Sequence, residues 1–366
     1  MTEPLTTKYR PKTFSDIVGQ KHIVESLCNM IKADRIPSAF LFAGERGLGK
    51  TTTARILSKA MNCPDRKGQD PCNKCQSCID ASKGTSLDIS EIDGASNRGV
   101  SEIKLVLEPT KHYPAYSRFK ITIIDEVHRL SREAFDSMLK LIEEPPPHVK
   151  FIFCTTQKYS VPSTIISRAS DWDFRLVPHT DMVKYLSTVL TNEKIKFDPK
   201  VLELVARQGN GSVRDTLSYL DSLLASCNYS LSEFDAVVDK MGIVRSDVYF
   251  NIVIHLLKNE PVKLMELIEA CSKEGTPVSV FLDGFTNFLN DLLAIKVGFM
   301  SREDLGLSDK DFKMFRMITD KVSLQRIIDT CDSVLTRANE MGTFEQKTMV
   351  LRLLFSQLIL IWQQGE

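Results

Sequence analysis

Gly44-Glu45-Arg46-Gly47-Leu48-Gly49-Lys50-Thr51, residues 44–51, decides how the first half of the chain folds. The stretch fits the pattern G-x-x-x-x-G-K-[ST]. It follows the short apolar run Phe40–Ala43 and opens a helical stretch, Thr52–Ala60. Strand, glycine-rich loop and helix in that order are the context in which such a loop cradles phosphates. Glycines let backbone N–H groups wrap a phosphate chain, and the helix N-terminus adds partial positive charge. Lys50 then reaches the outer phosphates and the Thr51 hydroxyl meets Mg²⁺. Gly44, Gly47, Leu48, Gly49 and Thr52 complete the cradle.

Working outward, Ile121–Ile124 and Phe151–Cys154 are further short runs that are apolar on both faces, as buried strands of a parallel sheet are. Leu87–Ile92 alternates and reads as a half-buried strand; Trp172–Leu176 is a candidate last strand. Between them, Ser131–Glu144 carries Ala134, Met138, Leu139, Leu141 and Ile142 at helical spacing. Strands alternating with helices give an α/β domain with a parallel sheet. The pattern changes near Val177-Pro178. Thr180 starts a helix through about Glu193, Asp198-Pro199 starts another, and Gly209-Asn210-Gly211 stops it before Ser212 opens the next. That helical unit ends near Gly242. Beyond Ile243 only helices are expected. Leu324, Ile327, Ile328, Cys331, Val334, Leu335 and Ala338 form one stripe, and Thr343 with Gln346 forms a capping box before the final helix. That helix is apolar over most of its circumference, which fits either a bundle core or a subunit contact.

Bulk composition sets outer limits. At 366 residues, more than one domain is expected. With 43% apolar and 26% charged residues the chain is not disordered. Its longest apolar stretch, Met349–Trp362, is interrupted by Arg352, Ser356 and Gln357, so no membrane span is expected, and the polar start Met1–Phe14 has no export signal. Lys plus Arg and Asp plus Glu balance at 47 each, which argues against a coat of positive charge but leaves room for a local basic patch. Nine cysteines without an export signal suggest the reducing cytoplasm.

Asp125-Glu126 follows the run Ile121–Ile124. Carboxylates at the C-terminal end of a parallel strand sit where ligands bind. Asp125 suits Mg²⁺ and Glu126 suits the attacking water, a pairing that points to the AAA+ class of ATPases. Thr155-Thr156 ends the run Phe151–Cys154 and offers a hydroxyl to the γ-phosphate, with Thr156 placed near the chemistry. Arg214 lies in the first turn of a helix, where a cation opposes the helix dipole; a phosphate ligand would account for it.

Cys63, Cys72, Cys75 and Cys78 are spaced C-x8-C-x2-C-x2-C. Zinc takes four thiolates in a tetrahedron, and C-x2-C turns present two at a time, so the site reads as structural zinc. An iron–sulfur cluster and free thiols are the rivals. Cys28, Cys154, Cys227, Cys271 and Cys331 are scattered among apolar residues and are expected to be buried.

The chain resembles the gamma/tau subunits of bacterial DNA polymerase III, the AAA+ ATPases of the sliding-clamp loader. The resemblance covers essentially its whole length. It is carried by Tyr9-Arg10-Pro11-Lys12-Thr13-Phe14-Ser15-Asp16-Ile17-Val18-Gly19-Gln20, the phosphate loop, the four cysteines, Asp125-Glu126-Val127-His128, Leu141-Ile142-Glu143-Glu144-Pro145-Pro146 and Gly211-Ser212-Val213-Arg214-Asp215, in order and spacing. It implies an ATP-binding AAA+ domain at 1–177, with a five-stranded parallel sheet and an inserted zinc knuckle at 63–78. A helical lid at 178–242 and an all-α collar at 243–366 would follow. Tyr9, Arg10, Val18 and Gly19 would border the adenine. Arg214 would be the second sensor arginine, and Arg168 would reach the ATP of a neighbouring subunit. The family's Ser-Arg-Cys motif is Ser167-Arg168-Ala169 here, keeping the charge and losing the cysteine. The implied cofactors are ATP, Mg²⁺ and Zn²⁺. The implied partners are the other loader subunits in a collar-joined pentamer, the sliding clamp and primer-template DNA, with no membrane. Arg98, in the loop Ser96–Gly99, is the candidate for a DNA phosphate; a solvated loop arginine is the alternative. Another AAA+ DNA-processing ATPase or a non-hydrolysing loader subunit are the rival readings. The second is disfavoured because Lys50, Thr51, Asp125 and Glu126 are all present.

Overall fold

The computed structural model describes residues 3–241, 245–273, 277–302, 305, 307–340 and 347–363. By internal contacts the chain divides into two compact units, Met1–Val189 with Val205–Ser222, and Leu190–Leu204 with Leu223–Glu366.

The first unit is built on five parallel strands: β1 Ala39–Ala43, β2 Ile89–Asp93, β3 Lys120–Asp125, β4 Val149–Thr155 and β5 Ser170–Asp173, in the order β2-β3-β4-β1-β5. Every residue of β1 and β4 is buried, because helices cover both faces. Phe40 and Phe42 pack with α2 (Lys21–Lys32) and α3 (Lys50–Asn62), while Ala39 and Leu41 point the other way, toward α5 (Val100–Leu107), α6 (Arg132–Glu143) and α7 (Ser163–Ile166). A one-turn helix, α1 (Leu5–Lys8), opens the unit, and α4 (Gln76–Lys83) follows the cysteine cluster. α8 (His179–Asn192) belongs to this unit up to Val189, as does the first part of α10 (Val213–Ser226). Ser131 caps α6 by accepting from Ala134 N. Ser212 caps α10 by accepting from Asp215 N.

Two strand boundaries differ from expectation. Leu87 lies outside β2 and is exposed, and the last strand is Ser170–Asp173, not Trp172–Leu176. β5 is an edge strand with one partner. Beyond it Phe174 still donates to Ala43 O, but Val177 turns away to bond Gly211 O.

The second unit contains α9 (Pro199–Gln208) in part, α11 (Phe234–Met241), and a bundle of α12 (Ser246–Leu257), α13 (Pro261–Lys273), α14 (Val278–Val297), α15 (Asp309–Thr319), α16 (Leu324–Glu340) and α17 (Lys347–Gln363). Its core is aromatic: Tyr249, Phe250, Phe281, Phe285, Phe288, Phe315 and Phe355. Among the described residues α14 alone is long and apolar enough, by length and composition, to cross a membrane, a test that the core helix of a bundle also passes. Here it contributes Phe281, Leu282, Phe285, Leu289 and Leu292 to the bundle core. α17 joins the same core through Leu354, Phe355 and Leu358, while Met349, Leu353 and Leu360 are exposed. The stripe on α16 is only half inward: Ile327 and Val334 are buried, but Leu324, Ile328 and Leu335 are exposed. Thr343 and Gln346 of the expected capping box, and Gly242 at the expected boundary, lie outside the described residues. Of the scattered cysteines, Cys154 and Cys271 are buried, whereas Cys28, Cys227 and Cys331 are only partly covered.

Candidate active site and metal centre

A cleft of about 980 Å³ opens at the C-terminal edge of the sheet, wholly within the first unit. The loop between β1 and α3 forms its floor. Gly47 and Gly49 have φ of +81° and +91°, left-handed values that glycine adopts without strain. At Gly47 a side chain would also run into the Ser212 hydroxyl, so the loop and the start of α10 are in close contact. Lys50 is buried, and its ammonium donates to Gly44 O at 2.7 Å and Glu45 O at 2.6 Å. Burial pulls its pKa below the ordinary lysine value, while Glu126 and Asp125 nearby act in the opposite sense. An anion entering the cleft would find this charge already aimed at the loop.

Thr51 Oγ1 donates to Asp125 Oδ2 at 2.7 Å. The hydroxyl and the carboxylate, from helix and strand, thus stand together where a hard cation would take oxygen ligands. Asp125 Oδ1 accepts from Glu126 N at 2.9 Å. Glu126 has φ +47°, an uncommon value for a side-chain-bearing residue, and lines the cleft. Its Oε2 accepts from Thr156 Oγ1 at 3.2 Å and lies 3.4 Å from His128 Nδ1. Burial lowers the His128 pKa, while the nearby Glu126 carboxylate acts in the opposite sense.

The two threonines have different surroundings. Thr156 lines the cleft, whereas Thr155 is fully buried, with its hydroxyl 3.1 Å from His128 Nδ1 and accepting from Gln157 N. Tyr9, Arg10, Val18, Leu48, Thr52 and Arg214 all line the cleft. Gly19 and Gly44 do not; a side chain at Gly19 would strike Val177, and one at Gly44 would strike Phe174. Arg10 is held below the usual arginine pKa by burial and by the guanidiniums of Arg55 and Arg214. Cations converging on one cleft favour an anionic occupant.

Arg168 lies outside the cleft of its own chain. It pairs with Glu143 Oε1 at 3.0 Å and donates to Thr164 O. Arg98 is exposed, and its Nε donates to Ala95 O at 2.9 Å. Sequence reasoning missed Tyr185, Leu217 and Arg129, which also line the cleft. Burial pushes the Tyr185 hydroxyl up to about 12, and that hydroxyl donates to Tyr9 O. An aromatic on an amphipathic helix reads as core, so no sequence signal marked it.

The four cysteines between α3 and α4 bring their sulfurs within 4.8 Å of one another. Cys63 Sγ and Cys75 Sγ are 3.9 Å apart. A tetrahedral ion with Zn–S bonds of ~2.3 Å requires ~3.8 Å between sulfurs, so the donor set fits. Backbone N–H groups of Lys74 and Cys75 point at Cys72 Sγ and pull that thiol down to about 6, while burial pushes Cys63 and Cys78 up. With four thiolates the coordination is closed, as in a structural site.

Residues 19–178 match the family described as "DNA polymerase III, delta subunit", and residues 181–229 match "DNA polymerase III clamp loader subunit, ATPase lid domain". DNA polymerase III subunit gamma of Buchnera aphidicola (subsp. Acyrthosiphon pisum) is 39% identical over 285 residues, 78% of this chain and 79% of that protein. The chain belongs to the gamma/tau family of DNA polymerase III subunits. DNA polymerase III subunit tau of Escherichia coli K12 is another gamma/tau relative, 36% identical over 80% of this chain; the matched region is 45% of tau. The chain therefore spans most of that gamma relative and under half of that tau relative. Among solved structures, the RuvB Holliday junction branch migration motor of Thermotoga maritima aligns at a TM-score of 0.49 and 17% identity, covering 84% of this chain and 98% of that one. The gamma/tau cleft is thus made by residues of the strand ends, the phosphate loop, the N-terminal segment and the start of α10.

Proposed function

We propose that the chain is the ATP-hydrolysing subunit of a bacterial clamp loader, using ATP binding and hydrolysis to load a sliding clamp onto primer-template DNA. One observation carries the reading: Lys50, Thr51, Asp125, Glu126 and Thr156 come from three separate elements and converge in a single cleft with Arg10 and Arg214. In this reading Lys50 and the loop N–H groups hold the phosphates, Thr51 and Asp125 hold Mg²⁺, and Arg214 meets the γ-phosphate. Mg²⁺ would supply charge neutralisation on the phosphates. Glu126 takes a proton from the attacking water, and Thr156 orients that carboxylate. Tyr9, Arg10 and Val18, with Gly19 behind them, accommodate the nucleoside. Thr155 acts indirectly, through His128. Arg168 serves a neighbouring subunit's site, and Arg98 a DNA phosphate.

Zn²⁺ is the proposed occupant of the cysteine site, as a structural ion. The divisions 1–177, 178–242 and 243–366 are the proposed ATPase, lid and collar domains, with the collar joining a pentamer. The proposed compartment is the cytoplasm. The loader would act as a component of a DNA polymerase holoenzyme. The test is ATP turnover by the purified chain, alone and reconstituted with the other loader subunits, clamp and primed DNA. Stimulation by clamp and primed DNA together is expected. Absence of ATP turnover in a fully assembled loader refutes the reading.

A further inference from the structure

The cysteine knuckle takes no part in the cleft, yet its contacts run to the segment that walls it. Tyr9, Arg10 and Pro11 line the cleft, and so does Val18. The residues between them are held by the knuckle. Asp70 Oδ1 accepts from Phe14 N at 2.7 Å, and Asn73 Nδ2 donates to Lys12 O at 3.2 Å. Both knuckle residues are themselves fixed. Asp70 closes a tight turn, exchanging N–H···O bonds with Lys67 at 3.0 and 3.2 Å across Gly68. Asn73 Oδ1 accepts from the buried Lys59 ammonium at 2.7 Å. Lys59 lies on α3, the helix that begins with Lys50 and Thr51. Asp70 sits two residues before Cys72, and Asn73 lies between Cys72 and Cys75, so an ion held by the four sulfurs would restrain the backbone that carries both side chains.

We propose that the knuckle is a bracket that sets the N-terminal segment against the phosphate-loop helix, with Asp70 and Asn73 as positioning residues for the nucleoside part of the bound nucleotide. The inference rests on the cleft being the ATP site. A metal held by the four cysteines would then influence nucleotide affinity from outside the cleft, through these two side chains. Glu126 and Thr156, just beyond β3 and β4, are not reached by these bonds, so the hydrolytic step is left alone.

The test is equilibrium binding to the full chain with two competing ligands, ATP and inorganic tripolyphosphate, which lacks the nucleoside. Metal content and melting temperature are measured on every variant. Asp70→Ala loses the acceptor for Phe14 N, and its Kd for ATP should rise about five- to tenfold while tripolyphosphate changes less than about twofold. Asp70→Asn keeps an acceptor oxygen and should recover most of the affinity. Asn73→Asp keeps the Lys59 partner and tolerates the same φ of +56°, but loses the donor to Lys12 O; it should show the same ATP-selective loss, and it stands in should Asp70→Ala fail to fold. Lys50→Ala, which should lose both ligands, is the control for the site itself. Parental ATP affinity in folded Asp70→Ala or Asn73→Asp, alongside loss in Lys50→Ala, overturns the bracket and leaves the ATP site standing. Equal weakening of ATP and tripolyphosphate also overturns it. Failure of the parent to bind ATP removes the ATP-site reading and the bracket with it.

Discussion

Glu126→Gln separates nucleotide binding from hydrolysis, and the structure sets the size of both effects. The amide has the same volume as the carboxylate and can still accept from Thr156 Oγ1, now 3.2 Å from Glu126 Oε2. The backbone strain at φ +47° is common to both residues. Folding stability should therefore change by no more than about 0.5 kcal/mol. ATP affinity should hold within about twofold, since the side chain touches neither the loop nor Lys50. Turnover is different. A general base contributes roughly 10²–10⁴ to rate, and glutamine cannot take a proton, so the barrier should rise by about 3–5 kcal/mol. Steady-state phosphate release at saturating ATP and Mg²⁺, with a parallel titration of ATP binding, measures both quantities. Turnover within threefold of the parent in a variant that binds ATP normally would refute the assignment of Glu126 as base.

Lys50→Ala should weaken ATP binding by about two orders of magnitude, because charged hydrogen bonds contribute roughly 1.5–3 kcal/mol each; equal affinity in titrations would contradict the loop's role. Arg168→Ala should leave ATP binding by the isolated chain unchanged and cut turnover in the assembled loader by about 10³, the scale of an arginine finger. Assemblies mixing Lys50→Ala and Arg168→Ala chains should regain part of the activity, and no recovery in verified mixtures counts against a role in trans. Metal affinity at the four cysteines should fall as pH drops from 8 to 6: Cys63 and Cys78, raised by burial, must release protons to bind, and Cys72 begins to protonate near 6. Competition against a chromogenic chelator reads this, and a pH-independent affinity would exclude thiolate ligation.

The parallel sheet, the loop and the two acids were legible because each is a local pattern: a short apolar run, a glycine spacing, a carboxylate pair at a strand end. That Thr155 stays out of the cleft was not legible. β4 is buried along its whole length, so its sequence has no polar–apolar alternation from which to count faces. The last strand was misplaced for a related reason. Trp172, Phe174 and Leu176 alternate as a strand should, but β5 has one neighbour, its pairing with β1 ends at Ala43–Asp173, and by Val177 the backbone bonds Gly211 instead. The apolar stripe on α16 overstated its core, since side chains such as Leu324 and Leu335 follow helical spacing and still face outward. The bonds from Asp70 and Asn73 to residues 12–14 join positions more than 50 apart, and no periodicity announces them.

Asp125 and Glu126 are adjacent, yet one faces the Thr51 hydroxyl and the other Thr156. Continuing the strand would send the second side chain to the opposite face of the sheet. The left-handed turn at Glu126 avoids this, at a cost of about 1–3 kcal/mol that neighbouring contacts must offset. Three of them are visible: Asp125 Oδ1 accepts from Glu126 N at 2.9 Å, Gly94 N donates to Asp125 O at 2.8 Å, and Arg129 N donates to Glu126 O at 2.9 Å. Gly94 matters most for its missing side chain. A Cβ there would stand 2.8 Å from Glu126 O and 3.1 Å from Asp125 O, against backbone that cannot swing aside as a side chain would. Gly94→Ala should therefore shift the turn and carry the Glu126 carboxylate out of line. Turnover should fall about ten- to a hundredfold, the scale of a misplacement near 1 Å, while Lys50 and the loop keep ATP affinity within about threefold. Parental turnover in Gly94→Ala would mean that the turn tolerates displacement and that the position of Glu126 is set elsewhere.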